Sequence, residues 1–183
     1  MANEEDPSGR SPDASGAERP LSSIVSALAR AIDTHLPPGD VAALRRMPTG
    51  ELATPAFWRL AGTVLEGVLR GDGPTALERE RQWATIVSAL AVSAGLHSSR
   101  RSFGAALAEA GYSELRLTRL LRAHGATLPA EVRAATAFLS SKAVPFDGVD
   151  LAALVLSDGG PSEEVVRRNV AKGYYAQLSR KDN

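Results

Sequence analysis

Apolar residues recur at three- and four-residue steps along most of the chain, with polar residues on the opposite arcs. This is the period of helices that bury one face. Leu21, Ile24, Val25, Leu28 and Ile32 open the series and predict a helix ending at Pro37–Pro38. Gly39–Asp40 opens a short second helix, with Asp40 as N-cap and Pro48 as stop. Pro55 starts a third, with Phe57, Leu60, Ala61, Val64, Leu65 and Val68 inward. After the turn Gly71–Asp72–Gly73–Pro74, Leu77, Trp83, Ile86, Val87 and Leu90 mark a long helix to about Ala94, stopped by Gly95.

The stretch 102–124, SFGAALAEAGYSELRLTRLLRAH, reads as two helices, broken at Gly111 and restarted by Ser113 as N-cap. In the second, Leu117, Leu120 and Leu121 share one arc, while Arg116, Arg119 and Arg122 share another. Leu115 falls on the arginine side, so part of that face is expected to meet a protein neighbour. Pro129 begins the next helix, with Leu128, Val132, Ala135, Phe138 and Leu139 inward, and Pro145 breaks it. Asp147 caps a short helix carrying Leu151, Leu154 and Val155. Gly159–Gly160–Pro161 is a break, and Ser162 caps a last helix to about Leu178.

No window alternates long enough to argue for a strand, and no fixed-period repeat occurs. The expected fold is all-α, a compact bundle of eight or nine helices over 21–183. Two sub-bundles could meet near 95–102, where the links are Gly, Ser and Arg. Residues 1–20 have no leucine, isoleucine or valine and are rich in Pro, Gly, Ser and charge, which predicts a disordered leader.

Composition narrows the functional classes. Without cysteine there is no disulfide, thiolate chemistry or thiolate zinc site. No run is long and apolar enough to span a membrane, so a cytoplasmic protein is expected. The formal net charge of zero conceals an asymmetry. Residues 1–20 carry five acids and two bases, which leaves 16 acids and 19 bases in 21–183. The body is therefore mildly basic, which permits a local basic track for a polyanion.

Searching for catalytic chemistry finds none. His35, His97 and His124 are far apart, without a second ligand at i+3 or i+4, so no metal site is expected. The Gly71–Pro74 turn lacks the strand, lysine and hydroxyl of a phosphate loop. Glu78, Glu80, Glu131, Glu163 and Glu164 lie near helix starts, where they complement the dipole. The chain is expected to be no enzyme and to need no cofactor.

The basic residues carry more information. They are 18 arginines to 3 lysines, and the planar guanidinium suits phosphate. Arg45–Arg46 lie on the short second helix, where Arg46 points away from Val41 and Leu44. As structure, this pair could instead bind Glu51 or cap helix ends. Arg100–Arg101 precede the helix at 102–110. On the last helix Arg168, Lys172 and Tyr175 lie opposite Val166, Val170, Tyr174 and Leu178. Each set alone also fits an ordinary solvated helix face.

Four segments, in order, resemble the CasB family, the small subunit of the type I-E CRISPR surveillance complex Cascade. They are GDVAALRRMPTGELATPAFWRL at 39–60, Trp83, SFGAALAEAGYSELRLTRLLRA at 102–123, and EEVVRRNVAKGYYAQL at 163–178. The resemblance implies an all-helical, non-enzymatic subunit, two copies head-to-tail, among other Cascade subunits and a crRNA. Its basic surface would help hold the target and displaced non-target DNA strands and so stabilise the R-loop. The family pattern places Arg45 and Arg46 at its paired arginines and Arg59 after its Phe-aromatic pair. It places Arg116 and Arg122 at recurring arginines, with Arg119 between them at a variable position. Arg167, Arg168 and Lys172 match the basic run before the paired tyrosines. Ala105 stands where some members carry a basic residue. Val170 and Gly173 stand where Trp and Asp are common, which implies different packing of the last helix. Two rival classes are a structural adaptor whose arginines bind acidic protein surfaces and a stand-alone helical DNA-binding regulator. For the latter, no base-reading recognition helix is found.

Overall fold

Proline at the first turn and local polar caps define most helix starts. The computed structural model describes residues 19–48, 52 and 54–181. Among these, nine α-helices run in order: α1 Leu21–Arg30, α2 Pro38–Arg46, α3 Pro55–Thr63, α4 Pro74–Val92, α5 Phe103–Ala110, α6 Glu114–Arg122, α7 Leu128–Ser141, α8 Gly148–Leu156 and α9 Glu163–Lys181. Proline stands in the first turn of α2, α3, α4 and α7, where its missing N–H costs nothing. Ser102, Ser113 and Asp147 accept a first-turn backbone N–H at the starts of α5, α6 and α8. Gly111 ends α5 in the left-handed conformation, φ 82°.

All nine helices contribute to one apolar core, from Ile24, Val25 and Leu28 on α1 to Val170 and Tyr174 on α9. Alpha-4 runs through its middle. From Trp83 to Ala91 every residue of that helix is buried, on all sides and not on one face. One isolated parallel bridge, His97 with Phe146, ties the loop before α5 to the loop before α8. The His97 ring then accepts the Gly148 N–H at 3.1 Å, a purely structural use of that imidazole.

Alpha-5 and α9 cross at backbone contact. A Cβ on Gly104 would lie 2.0 Å from the Val170 carbonyl oxygen, and one on Gly173 would lie 2.8 Å from Ser102 Oγ. Only glycine fits at Gly104, where the obstacle is backbone. Val170 and Gly173, the two departures from the CasB pattern in the last helix, both sit in this crossing, next to buried Tyr174.

Several expectations need correction. Asp40 is not the N-cap of α2: Pro37 is, with Pro38 in the first turn, and the Asp40 carboxylate is turned to Arg59. Leu77 is 40% exposed, because the first turn of α4 projects before the helix enters the core. Alpha-1 is prolonged by a π-type turn over Ala31–His35, and α9 runs on to Lys181. Arg19 and Pro20 are described: Arg19 donates to the Val64 carbonyl, and Pro20 accepts from Ser23. The leader expected over 1–20 otherwise lies outside the described residues, as does Glu51. No helix among the described residues is long and apolar enough to cross a membrane.

Candidate nucleic-acid interface

Alpha-6 is amphipathic by construction. Leu117 and Leu120 are buried to 1% and 0%, and Arg116, Arg119 and Arg122 are exposed. Leu115, among the arginines, is 73% exposed. The three guanidinium groups nevertheless have different surroundings. Arg116 lies over two rings, 5.5 Å from the Phe138 centroid and 5.9 Å from that of Tyr112. Arg119 donates to Glu131 at 2.6 Å. Arg122 makes no ion pair among the described residues. An exposed pair such as Arg119–Glu131 contributes only about 0.2–1 kcal/mol, so Arg119 can exchange it for another anion.

Alpha-9 lies beside α6. Tyr175 donates from its hydroxyl to Glu114 Oε2 at 3.3 Å near the start of α6. At the other end, Arg167 reaches the last carbonyls of α6. The two helices therefore run antiparallel, and Arg168 and Lys172 are exposed on the outer side of α9. Val170 and Tyr174 are buried on the inner side, as the sequence period predicts.

Arg167 is the exception in that run. It is 7% exposed. Its guanidinium donates to the Leu121 carbonyl at 2.7 Å, the Ala123 carbonyl at 2.8 Å, and Asp158 and Glu163 each at 3.1 Å. With those partners it locks the end of α6 to the start of α9 and has no free edge for a strand. His124, Asp158 and Glu163 could also be read as a three-ligand metal cluster. The Arg167 guanidinium already supplies the cation between the two carboxylates. A backbone N–H from Gly159, then the charges of Arg167 and His124, hold the Glu163 carboxyl below its ordinary range.

The remaining basic residues divide in the same way. Arg59 is exposed but pairs with Asp40, and Arg101 pairs with Glu109 at 2.9 Å. Arg45 spends its Nε on the Ala91 carbonyl at 2.8 Å. Arg46, next along, and Arg100 are exposed and make no ion pair among the described residues.

One positioning residue was not singled out from the sequence. Arg133, on α7, donates to the Arg45 carbonyl and to Ser88 Oγ at 3.2 Å. It thereby binds a carbonyl at the C-terminal end of α2, one residue before Arg46. Its signal in sequence is only one more arginine in a helix. Through Arg133, α7 is joined to α2 on one side and, through Glu131 and Phe138, to α6 on the other. The basic groups thus sit on neighbouring helices in the order α2, α7, α6, α9, with Arg59 on α3 and Arg100–Arg101 before α5.

Comparison with known proteins decides the family. Residues 40–175 match the family model of CRISPR-associated protein Cse2. The chain belongs to the Cse2 family. Among solved structures, CasB from Thermus thermophilus is 23% identical, with a TM-score of 0.66 over 86% of this chain and 98% of that one. CasB from Thermobifida fusca is 17% identical, with a TM-score of 0.64 over 84% and 94%. A chain of E. coli Cascade bound to a PAM-containing double-stranded DNA target is 22% identical, with a TM-score of 0.65 over 85% and 96%. These likenesses establish a shared fold. No curated protein sequence matches the chain. The Cse2 match takes in α2 to most of α9 and thus Arg45, Arg46, Arg59, the α6 arginines, Arg168 and Lys172.

Proposed function

We propose that this Cse2-family chain is the non-catalytic small subunit of a type I-E Cascade. It works in the cytoplasm beside the other Cascade subunits and a crRNA, with a second copy head-to-tail. Its exposed cations hold the target strand and the displaced non-target strand and stabilise the R-loop.

The observation that carries this reading is a set of unspent charges on a Cse2-family chain. Arg46, Arg100, Arg122, Arg168 and Lys172 are exposed and without an ion pair among the described residues. Arg116 and Arg119 adjoin Arg122 on α6. Such groups neutralise phosphates without reading sequence, and affinity then falls steeply with salt. Sequence choice is left to guide–target pairing. A body only mildly basic overall binds DNA weakly alone and contributes mainly within the complex.

The test is charge reversal of Arg46, Arg122 and Arg168 together in a reconstituted complex. Loss of R-loop lifetime with normal subunit stoichiometry supports the strand-holding role. Loss of assembly instead assigns the arginines to protein contacts, the adaptor reading.

A further inference from the structure

The arginine face of α6 ends in a recess, and its walls do not match a simple phosphate track. The recess has a volume of about 350 Å³ and is lined by Tyr112, Arg116, Arg119, Glu131, Ala134 and Phe138. That is at the small end of ligand pockets, which run roughly 300–1,000 Å³. Its floor is aromatic: Tyr112 and Phe138 meet edge-on, with centroids 5.2 Å apart. Arg116 lies over both rings, with its guanidinium carbon 5.5 Å from the Phe138 centroid and 5.9 Å from that of Tyr112, so its cation rests against an aromatic base. Lys142 stands 6.0 Å from the Phe138 centroid.

Glu131 decides the ligand chemistry. Its carboxylate lines the recess with only 18% of its side chain exposed and is paired with Arg119. A phosphate or an acidic side chain entering here would meet that carboxylate at close range. A flat, uncharged group bearing N–H donors would not. It could stack on the outer face of Arg116 and donate an amino hydrogen to Glu131, while its attached backbone stayed outside near Arg119 and Arg122.

We propose that this recess takes one unpaired nucleobase of the strand held along α6, with preference for bases carrying an exocyclic amine over thymine. The proposal rests on the strand-holding reading and gives it a stacking anchor. Base stacking on a flat side chain and phosphate contacts beside it are the two halves of single-strand binding.

The experiment uses the full chain and three fluorescent oligonucleotides of equal length: oligo-dC, oligo-dT and a chain with abasic sites at regular intervals. Binding is read by anisotropy at low salt. Oligo-dC is expected to bind roughly five- to tenfold more tightly than the abasic chain, from the usual worth of one stacked base. Arg116→Lys, which keeps the charge but removes the plane, should abolish most of that difference. Glu131→Gln should erase the preference for dC over dT. A 5-iodocytosine probe should photo-crosslink to the peptide carrying Tyr112 or Phe138.

Equal binding of the dC and abasic chains overturns the base pocket. If Arg122→Glu still weakens both equally, strand holding survives without it. If Arg122→Glu and Arg168→Glu change nothing either, the base pocket is overturned all the same, and strand holding is decided separately by R-loop lifetime in the reconstituted complex. An Arg116→Lys protein that loses self-association by sedimentation, with unchanged oligonucleotide binding, marks the recess as a protein contact and also overturns the proposal. Thermal unfolding of each variant verifies the fold.

Discussion

Arg167 and Arg168 are neighbours in sequence and opposites in structure. The first is 7% exposed and bound to two carbonyls and two carboxylates. The second points outward from the same turn of α9. A weaker form of the contrast recurs between Arg45 and Arg46: both are exposed, but Arg45 donates its Nε to the Ala91 carbonyl. In each pair the first arginine bonds a helix-end carbonyl and the second makes no ion pair among the described residues. A basic run is therefore no measure of a binding surface until each guanidinium has been followed to its partner.

The largest expected effect breaks this contrast from the inside. Arg167→Ala strands the carboxylates of Asp158 and Glu163 and the carbonyls of Leu121 and Ala123. Removing one partner of a buried charge network costs about 3–5 kcal/mol. Arg168→Ala should change stability by less than about 0.5 kcal/mol. Chemical denaturation of both variants measures the difference.

Next in size is Gly104→Ala, which forces α9 away from α5 because the new methyl would meet the Val170 carbonyl. Overpacking of this kind costs about 1–3 kcal/mol, and backbone resistance places this site at the upper end. The same denaturation assay reads it.

Charge reversal on the outer face should leave stability nearly untouched and change binding. Arg122→Glu or Arg168→Glu is expected to lower the slope of log affinity against log salt by about 0.7 for each single-strand phosphate lost. Arg167 conservative variants that still fold should leave that slope unchanged.

A smaller effect concerns acid. The Glu163 carboxyl is held below its ordinary value of 4.5, first by the Gly159 N–H and then by Arg167 and His124. A depressed carboxyl stabilises the fold when ionised. That contribution is present above pH 4.5 and is lost as pH falls below it. Glu163→Gln should therefore flatten the loss of thermal stability below pH 4.5 relative to the parent chain, measured by thermal melts across pH.

The fold was legible because its signals are local. Ser102, Ser113, Asp147 and Gly111 act within three residues of where they stand in sequence, and the leucine spacing of α6 needs no tertiary knowledge. The misreadings are non-local. Asp40 looked like a cap, yet its partner Arg59 lies on another helix. Leu77 continued the apolar period beyond the edge of the core. Glu131 does stand in the first turn of α7, as expected, but nothing in sequence linked it to Arg119 across the α6–α7 boundary. Arg167 shares the apolar arc of α9 with Val170 and Tyr174, a periodic signal that the family pattern overrode, whereas its partners, from the end of α6, the loop before α9 and α9 itself, are not legible in sequence. Leu115 could be read correctly from the wheel, since exposure on α6 is fixed by period alone.

The strand-holding role is tested most directly by the R-loop lifetime of a reconstituted complex in which Arg46, Arg122 and Arg168 are all changed to Glu, with stoichiometry checked before DNA is added. An intact complex whose R-loop dissociates at least tenfold faster at moderate salt is the expected result. An intact complex with an unchanged R-loop lifetime would contradict it and leave these arginines without a nucleic-acid role.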